Sequence, residues 1–412
     1  MSKIKFVLLF IIVSVSHVSL LGQGNSTSSP YSRYGYGILA DQSSSVGYAM
    51  GGLGYGLRKS TNINPMNPAS YSAVDSLTFL FDMGVDFQFV NLKENGNKQS
   101  GHNGNIKNIN MLFPVGKGLA FSAGILPVSY VGYDYGISYN PQHSLAQINY
   151  SGKGGFHQVY GGIAYKYNDF SIGANIGYLF GNLEYYTTAY PDGGTAGVVR
   201  DSIIIRSHDL IYSLGVQQIV PMNEDMRLVL GAVYTPKLKM TARGTQTQWV
   251  GSTSIKNEIT PANSYEMAQS LGIGASVVKG EKLTIGADVL WENWAAAKVN
   301  DATDTLNNRL KYTVGTEFVP DARSRNLFKR MQYRLGGYYS NSYITTNAGS
   351  EYNEFGLRLG FGIPVINKSV VHISFDYTKL TPTITNALSE DYFKITLNYT
   401  FNEIWFRKRR LH

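Results

Sequence analysis

The residues best placed to do chemistry in this chain are five charges on strand-like segments: Arg358, Lys394, Asp376, Asp82 and Asp86. Each falls on the polar face of a stretch whose apolar and polar residues alternate, so all five point to one side of a sheet. Counted from the neighbouring connections, Arg358, Asp376, Lys394 and Asp86 lie at similar depth. Charges in a partly dehydrated interior need partners. The set therefore reads either as an ion-pair ladder bracing a wall, or as a site where Arg358 or Lys394 receives a ligand carboxylate. Nothing else forms a catalytic constellation. The seven histidines are scattered, without His-x-His or His-Glu-x-x-His spacing for a metal. No serine sits in a Gly-x-Ser-x-Gly elbow between strand and helix. Cysteine is absent, which excludes disulfides, a thiol nucleophile and a zinc–thiolate site. The chain reads as no enzyme, with no metal and no cofactor.

The elements that carry these charges repeat one pattern. In the last strand, Phe393, Ile395, Leu397, Tyr399 and Phe401 alternate with Tyr392, Lys394, Thr396, Asn398, Thr400 and Asn402. In the first, Leu77, Phe79, Phe81, Met83, Val85, Phe87 and Phe89 oppose Thr78, Asp82, Asp86 and Gln88. Fourteen such strands follow one another. Connections after odd strands read as long (91–105, 135–155, 187–201, 241–264, 295–308, 340–352, 379–390). Those after even strands read as short, with 319–328 the longest exception. A soluble all-β protein has no reason to sort its loops by parity. An outer-membrane barrel does, with long outer loops and short periplasmic turns. The expected fold is all-β: a 14-stranded antiparallel transmembrane β-barrel over 75–406, closed last strand to first because lipid tolerates no open edge.

Composition agrees. The 30 tyrosines and 44 glycines suit strands with aromatic interface belts. Trp291, Trp294 and Trp405, with Tyr338, Tyr339 and Tyr399, are assigned to those belts. The net charge of +8 raises nucleic-acid binding, but Lys3, Lys5, Arg407, Lys408, Arg409 and Arg410 account for most of it. Setting those six aside leaves 30 basic against 28 acidic residues, so no polyanion surface and no nucleic-acid partner is expected.

Residues 1–22 read as a signal peptide: Lys3 and Lys5, an apolar run, then small and polar residues. Residues 23–74 have no clean period and are rich in Gly, Ser and Tyr. They form either a flexible leader or a compact hatch inside the barrel, where glycine permits close packing on the wall. Residues 407–412 are a basic periplasmic tail.

Asn67-Pro68-Ala69, after the Gly-rich Ala49-Met50-Gly51-Gly52 and before the first strand, resembles the hatch motif of the FadL-type outer-membrane transporters. The strand count resembles that family too, and the aromatic last strand with Trp405-Phe406 and a basic tail resembles its Bacteroidota branch. The resemblance implies a barrel plugged by an N-terminal hatch in a Gram-negative outer membrane, with both termini periplasmic. It implies passive uptake of hydrophobic compounds such as long-chain fatty acids, leaving sideways through a kink in the third strand. Pro127 stands in the third strand and cannot donate to a ladder, so it is either that lateral opening or a plain bulge. The second reading of function is a non-transporting barrel that serves as subunit or docking platform in a Bacteroidota outer-membrane machine for secretion or barrel assembly. Expected partners are outer-membrane lipid, a hydrophobic small-molecule ligand and other outer-membrane proteins.

Overall fold

The computed structural model describes residues 26–138, 145–191, 198–251, 253–259, 265–299, 306–346, 349–365 and 368–405. The signal-peptide assignment and the basic tail lie outside the described residues. Fourteen barrel strands follow in chain order: β1 (Thr78–Glu94), β2 (Asn97–Gly116), β3 (Leu119–Ser138), β4 (Leu145–Tyr167), β5 (Phe170–Pro191) and β6 (Val199–Pro221). β7 has two pieces, Met226–Thr235 and Leu238–Val250, interrupted at Pro236. β8 has three, Thr253–Ile259, Tyr265–Met267 and Ser270–Lys279. β9 (Leu283–Glu292), β10 (Arg309–Phe318), β11 (Gln332–Asn341), β12 (Tyr352–Pro364), β13 (Val370–Pro382) and β14 (Ser389–Ile404) complete the wall.

Each strand pairs antiparallel with its neighbours in sequence, and β14 closes on β1 with Phe393 opposite Phe89 and Thr396 opposite Asp86. Alternation sets which face is which. Phe393, Ile395, Leu397 and Tyr399 face outward and stay exposed, whereas Tyr392, Thr396, Asn398 and Thr400 face inward and are buried. Exposed aliphatic and aromatic rows on every side are costly in water and favourable in lipid. Phe79 stacks on Trp405, with ring centroids 4.1 Å apart, at the end of the barrel where the strands begin and end. Two belt assignments are corrected: Trp294 and Tyr338 are buried on the inside, Trp294 packing on Tyr36 and Tyr343.

The connections also differ from expectation. Residues 91–105 are not a long loop: β1 and β2 meet in a two-residue turn, Asn95-Gly96, both with positive φ as a type I′ hairpin requires. Likewise β3–β6 run for 20 to 23 residues, so much of the expected loop sequence is strand standing beyond the apolar belt. There the inward face still carries rings such as Tyr133, Tyr135 and Tyr150, but the outward face no longer shows a continuous apolar row, so the lipid-facing alternation is lost from the sequence.

Residues 26–76 pack against the inward faces of the strands. They contain short helical turns (Pro30–Arg33, Ser45–Ala49, Pro68–Ala73) and one two-residue strand, Ile38–Leu39. Contact is close enough to need bare backbone: a Cβ on Gly336 would stand 2.2 Å from the Met50 carbonyl carbon. Gly51, at φ +81°, lies against Gly337 and the Val314 carbonyl.

Candidate functional site

The inner segment is fastened to the wall by charge. Arg358 on β12 donates from Nε to Asp376 on β13 (2.5 Å) and from Nη1 to Asp41 of the inner segment (2.7 Å). Lys311 on β10 approaches the same Asp41 carboxylate at 3.5 Å. Tyr48 completes the joint: its hydroxyl donates to Asp376 (3.0 Å), and its ring lies between the Arg358 guanidinium at 3.9 Å and the Lys107 ammonium at 3.7 Å. Burial alone would raise the Asp41 carboxyl, but Lys311, Arg358 and Lys107 outweigh it and hold the group well below the usual carboxylate range.

Two further ties lie along the segment. Asp288 on β9 accepts from the backbone amides of Gly54 (2.6 Å) and Tyr55 (2.9 Å). Glu317 on β10 accepts from Arg334 on β11 (2.8 Å) and from Lys59 of the segment. Asn67, from the motif Asn67-Pro68-Ala69, caps the turn that follows. Its Oδ1 accepts from the Ala69 amide (3.1 Å), and its Nδ2 donates to the Tyr55 carbonyl (2.8 Å) and to Val216 on β6 (3.2 Å). Proline at the first helical position suits such a cap. The motif therefore joins two stretches of the segment to each other and to the wall.

Of the five charges read from the sequence, the structure unites Arg358 and Asp376, which are register partners. Lys394 is the next residue along that row, opposite Asp376, and lies 5.4 Å from the Tyr392 ring centroid. Asp86, with Arg358 and Lys394, borders the cavity described below. Asp82 stands apart and is a correction to the cluster: it accepts from Asn108 and from Thr400 (2.6 Å), two rungs toward the chain-terminal end. Asp41, Lys311, Lys107 and Tyr48 were missed. Asp41 did leave a signal, being the sole acidic residue in 23–74.

A cavity of about 290 Å³ lies between segment and wall, bordered by Asp41, Asp86, Lys311, Glu354, Arg358 and Lys394. It reaches a seam in the wall. The β2–β3 ladder ends at Ile109 opposite Ile125, and β3 bulges between Pro127 and Ser129. Beyond that point the inner segment takes the place of β2: Ile38 and Leu39 pair with Tyr130 and Ser129, and the Ala40 amide donates to the Val128 carbonyl (2.9 Å). On the β2 side, Ser28 donates to Asn103 (3.1 Å) and Asn105 donates to the Ser26 carbonyl (2.9 Å). Pro127 thus sits where the wall unzips, and residues 26–42 lie along the break. Among the described residues, no three His, Cys, Asp or Glu side chains are grouped to hold a metal.

The model of the family described as BamG matches residues 1–412. The chain belongs to the BamG family. No curated protein matches this BamG-family chain. Among solved structures it is similar to the Pseudomonas putida toluene transporter TodX, at 14% identity over 88% of this chain and 98% of that one, TM-score 0.63. It is also similar to the Ralstonia pickettii toluene transporter TbuX (16% identity, 86% and 97% covered, TM-score 0.59) and to a Pseudomonas aeruginosa FadL homologue (11%, 87% and 98%, TM-score 0.59). At these identities the likeness establishes a shared barrel fold.

Proposed function

We propose that this BamG-family barrel is a non-transporting subunit or docking platform of an outer-membrane machine, held in the membrane with both termini periplasmic and residues 23–74 as a fixed hatch. The observation that carries this reading is the lumen. The segment filling it is tied to β9, β10, β12 and β13 through charged side chains, and the cavity that remains is lined by Asp41, Asp86, Lys311, Glu354, Arg358 and Lys394 as much as by apolar side chains such as Leu39, Met267, Trp294 and Leu380. A ligand pocket for an apolar compound is mostly apolar, with few polar groups. Placing hydrocarbon here would strip water from ionised groups without replacing their partners. The strands rising beyond the belt offer area to other outer-membrane proteins. Deleting the gene and measuring uptake of a labelled fatty acid and of toluene tests this reading: uptake should be unchanged, and its loss would overturn the proposal.

A second reading keeps a specific observation of its own. The wall is broken at Pro127, where withdrawal of residues 26–42 would leave a sideways route between lumen and lipid, and the toluene transporters TodX and TbuX are similar to this chain in fold. Under it, the barrel passes hydrophobic compounds such as long-chain fatty acids. Arg358 already holds two carboxylates, whereas Lys394 borders the cavity with no ion pair among the described residues, so Lys394 is the better receiver for a ligand carboxylate. A disulfide between Ser28→Cys and Asn103→Cys, whose side chains meet at 3.1 Å, pins the segment to β2 beside the seam. It should abolish uptake under this reading and change nothing under the first.

A further inference from the structure

The connection between β10 and β11 is the longest on its side of the barrel, and neither reading above uses it. It carries Arg323, Arg325, Lys329 and Arg330 against a single acidic residue, Asp321. Asp321 is spent locally, accepting from the Arg323 amide (3.0 Å). Among the described residues none of the four cations has an ion-pair partner, and the Arg330 Nε is buried without any hydrogen-bond partner. Beside these charges stand two bare apolar side chains, Phe328 at 69% and Leu327 at 41% exposure.

Position decides what this surface faces. Tyr333, on the lipid-facing side of β11, donates its hydroxyl to the Phe328 carbonyl (2.9 Å) and sets its ring edge-on against Phe361 at 5.9 Å. Phe318, opposite Tyr333 in the ladder, is exposed on the same outward face. The turn is therefore held to the outer circumference, at the rim of the apolar belt, and not beneath the lumen. Cations beside an exposed aromatic at that level match the membrane interface, where rings enter the headgroup boundary and basic side chains meet phosphate.

We propose that residues 321–330 are an anionic-phospholipid site: Phe328 and Leu327 enter the leaflet, and Arg323, Arg325 and Lys329 bind headgroup phosphates. The absence of cysteine allows a clean test on the full chain in nanodiscs. Phe328→Cys carries a bimane fluorophore, and quenching by nitroxide-labelled phosphatidylglycerol is compared with nitroxide-labelled phosphatidylcholine at equal mole fraction. Each cation near an anionic surface contributes roughly fivefold in local affinity at low salt. The expected result is at least a fivefold preference for phosphatidylglycerol, removed by Arg323→Gln/Arg325→Gln/Lys329→Gln and by high salt. Equal quenching by both lipids, a preference that survives the triple substitution, or no quenching (as for a turn that faces a soluble protein) would overturn the proposal. Heat-modifiable migration on a gel confirms that each variant is a folded barrel.

Discussion

Replacing Asp41 with Asn should loosen the inner segment while leaving the barrel intact. Among the described residues, Asp41 is the one segment side chain in an ion pair with Arg358, whose own side chain is 3% exposed. Removing one member of a buried ion pair costs about 3–5 kcal/mol, because the remaining charge is left without compensation. Here Arg358 keeps Asp376 and the faces of Tyr48 and Tyr338, so the cost falls below that range, to about 2–3 kcal/mol. At about 1.4 kcal/mol per factor of ten, that raises the open fraction of the segment roughly 30- to 150-fold. The assay uses Val46→Cys, a nearly volume-conserving change at a residue buried in the cluster it forms with Met50, Leu53 and Leu57. In the parent, maleimide labelling of Cys at 46 is slow. With Asp41→Asn it should quicken by that factor, with heat-modifiable migration unchanged. A rate within threefold of the parent would show that Asp41 does not fasten the segment.

Four other outcomes follow from the same contacts. The Asp41 carboxyl is held below its unfolded value of 3.8, so its stabilising effect is full above that pH and is lost as pH falls through the lower, folded value. Pepsin, active in that window, should cut residues 38–57 increasingly as pH drops below about 3.8, and Asp41→Asn should weaken that pH dependence, leaving the part due to the Glu317–Lys59 tie. Gly336→Val drives a side chain into the Met50 backbone and should speed labelling at position 46 without preventing barrel closure. Lys394→Met removes a charge that has no ion-pair partner among the described residues, so labelling and heat-modifiable migration should stay as in the parent. Asp288→Ala orphans the amides of Gly54 and Tyr55, costing about 1–3 kcal/mol, and hydrogen exchange at those amides should rise accordingly.

The wall was legible because lipid imposes a strict rule on it. Phe393 to Phe401 and Phe79 to Phe89 must show apolar side chains at every second position, and closure of β14 on β1 follows from the cost of an open edge. Beyond the belt that rule lapses. Residues 97–100 are exposed on both sides, and Gly101, Asn103 and Asn105 turn a bare or polar face to the inner segment, so their strand shows no apolar alternation, although Asn95-Gly96 is a hairpin signal in its own right. The interior was half legible for a related reason. Alternation tells which side of the sheet Arg358, Asp376, Lys394, Asp82 and Asp86 face, but not which rung each occupies. Rung is fixed by register across four strands, and it separates Asp82 from the others. The contribution of Asp41 depends on a segment with no period at all. Its path is set by where backbone can approach backbone, at Gly51 and Gly336 among others. Pro127 was legible as a break in a ladder. That the inner segment pairs in place of β2 beyond it was not, since Ile38-Leu39 is too short to read as a strand.

The measurement that tests the central claim most directly is the mass of the protein extracted from its own outer membrane in a gentle detergent, with a tag at the natural locus. A platform sealed by its own charged interior predicts a stable assembly in which the barrel is present with other outer-membrane proteins in fixed ratio. A lone barrel carrying a hydrophobic molecule in the cavity beside Lys394 would contradict that account and establish the barrel as a channel.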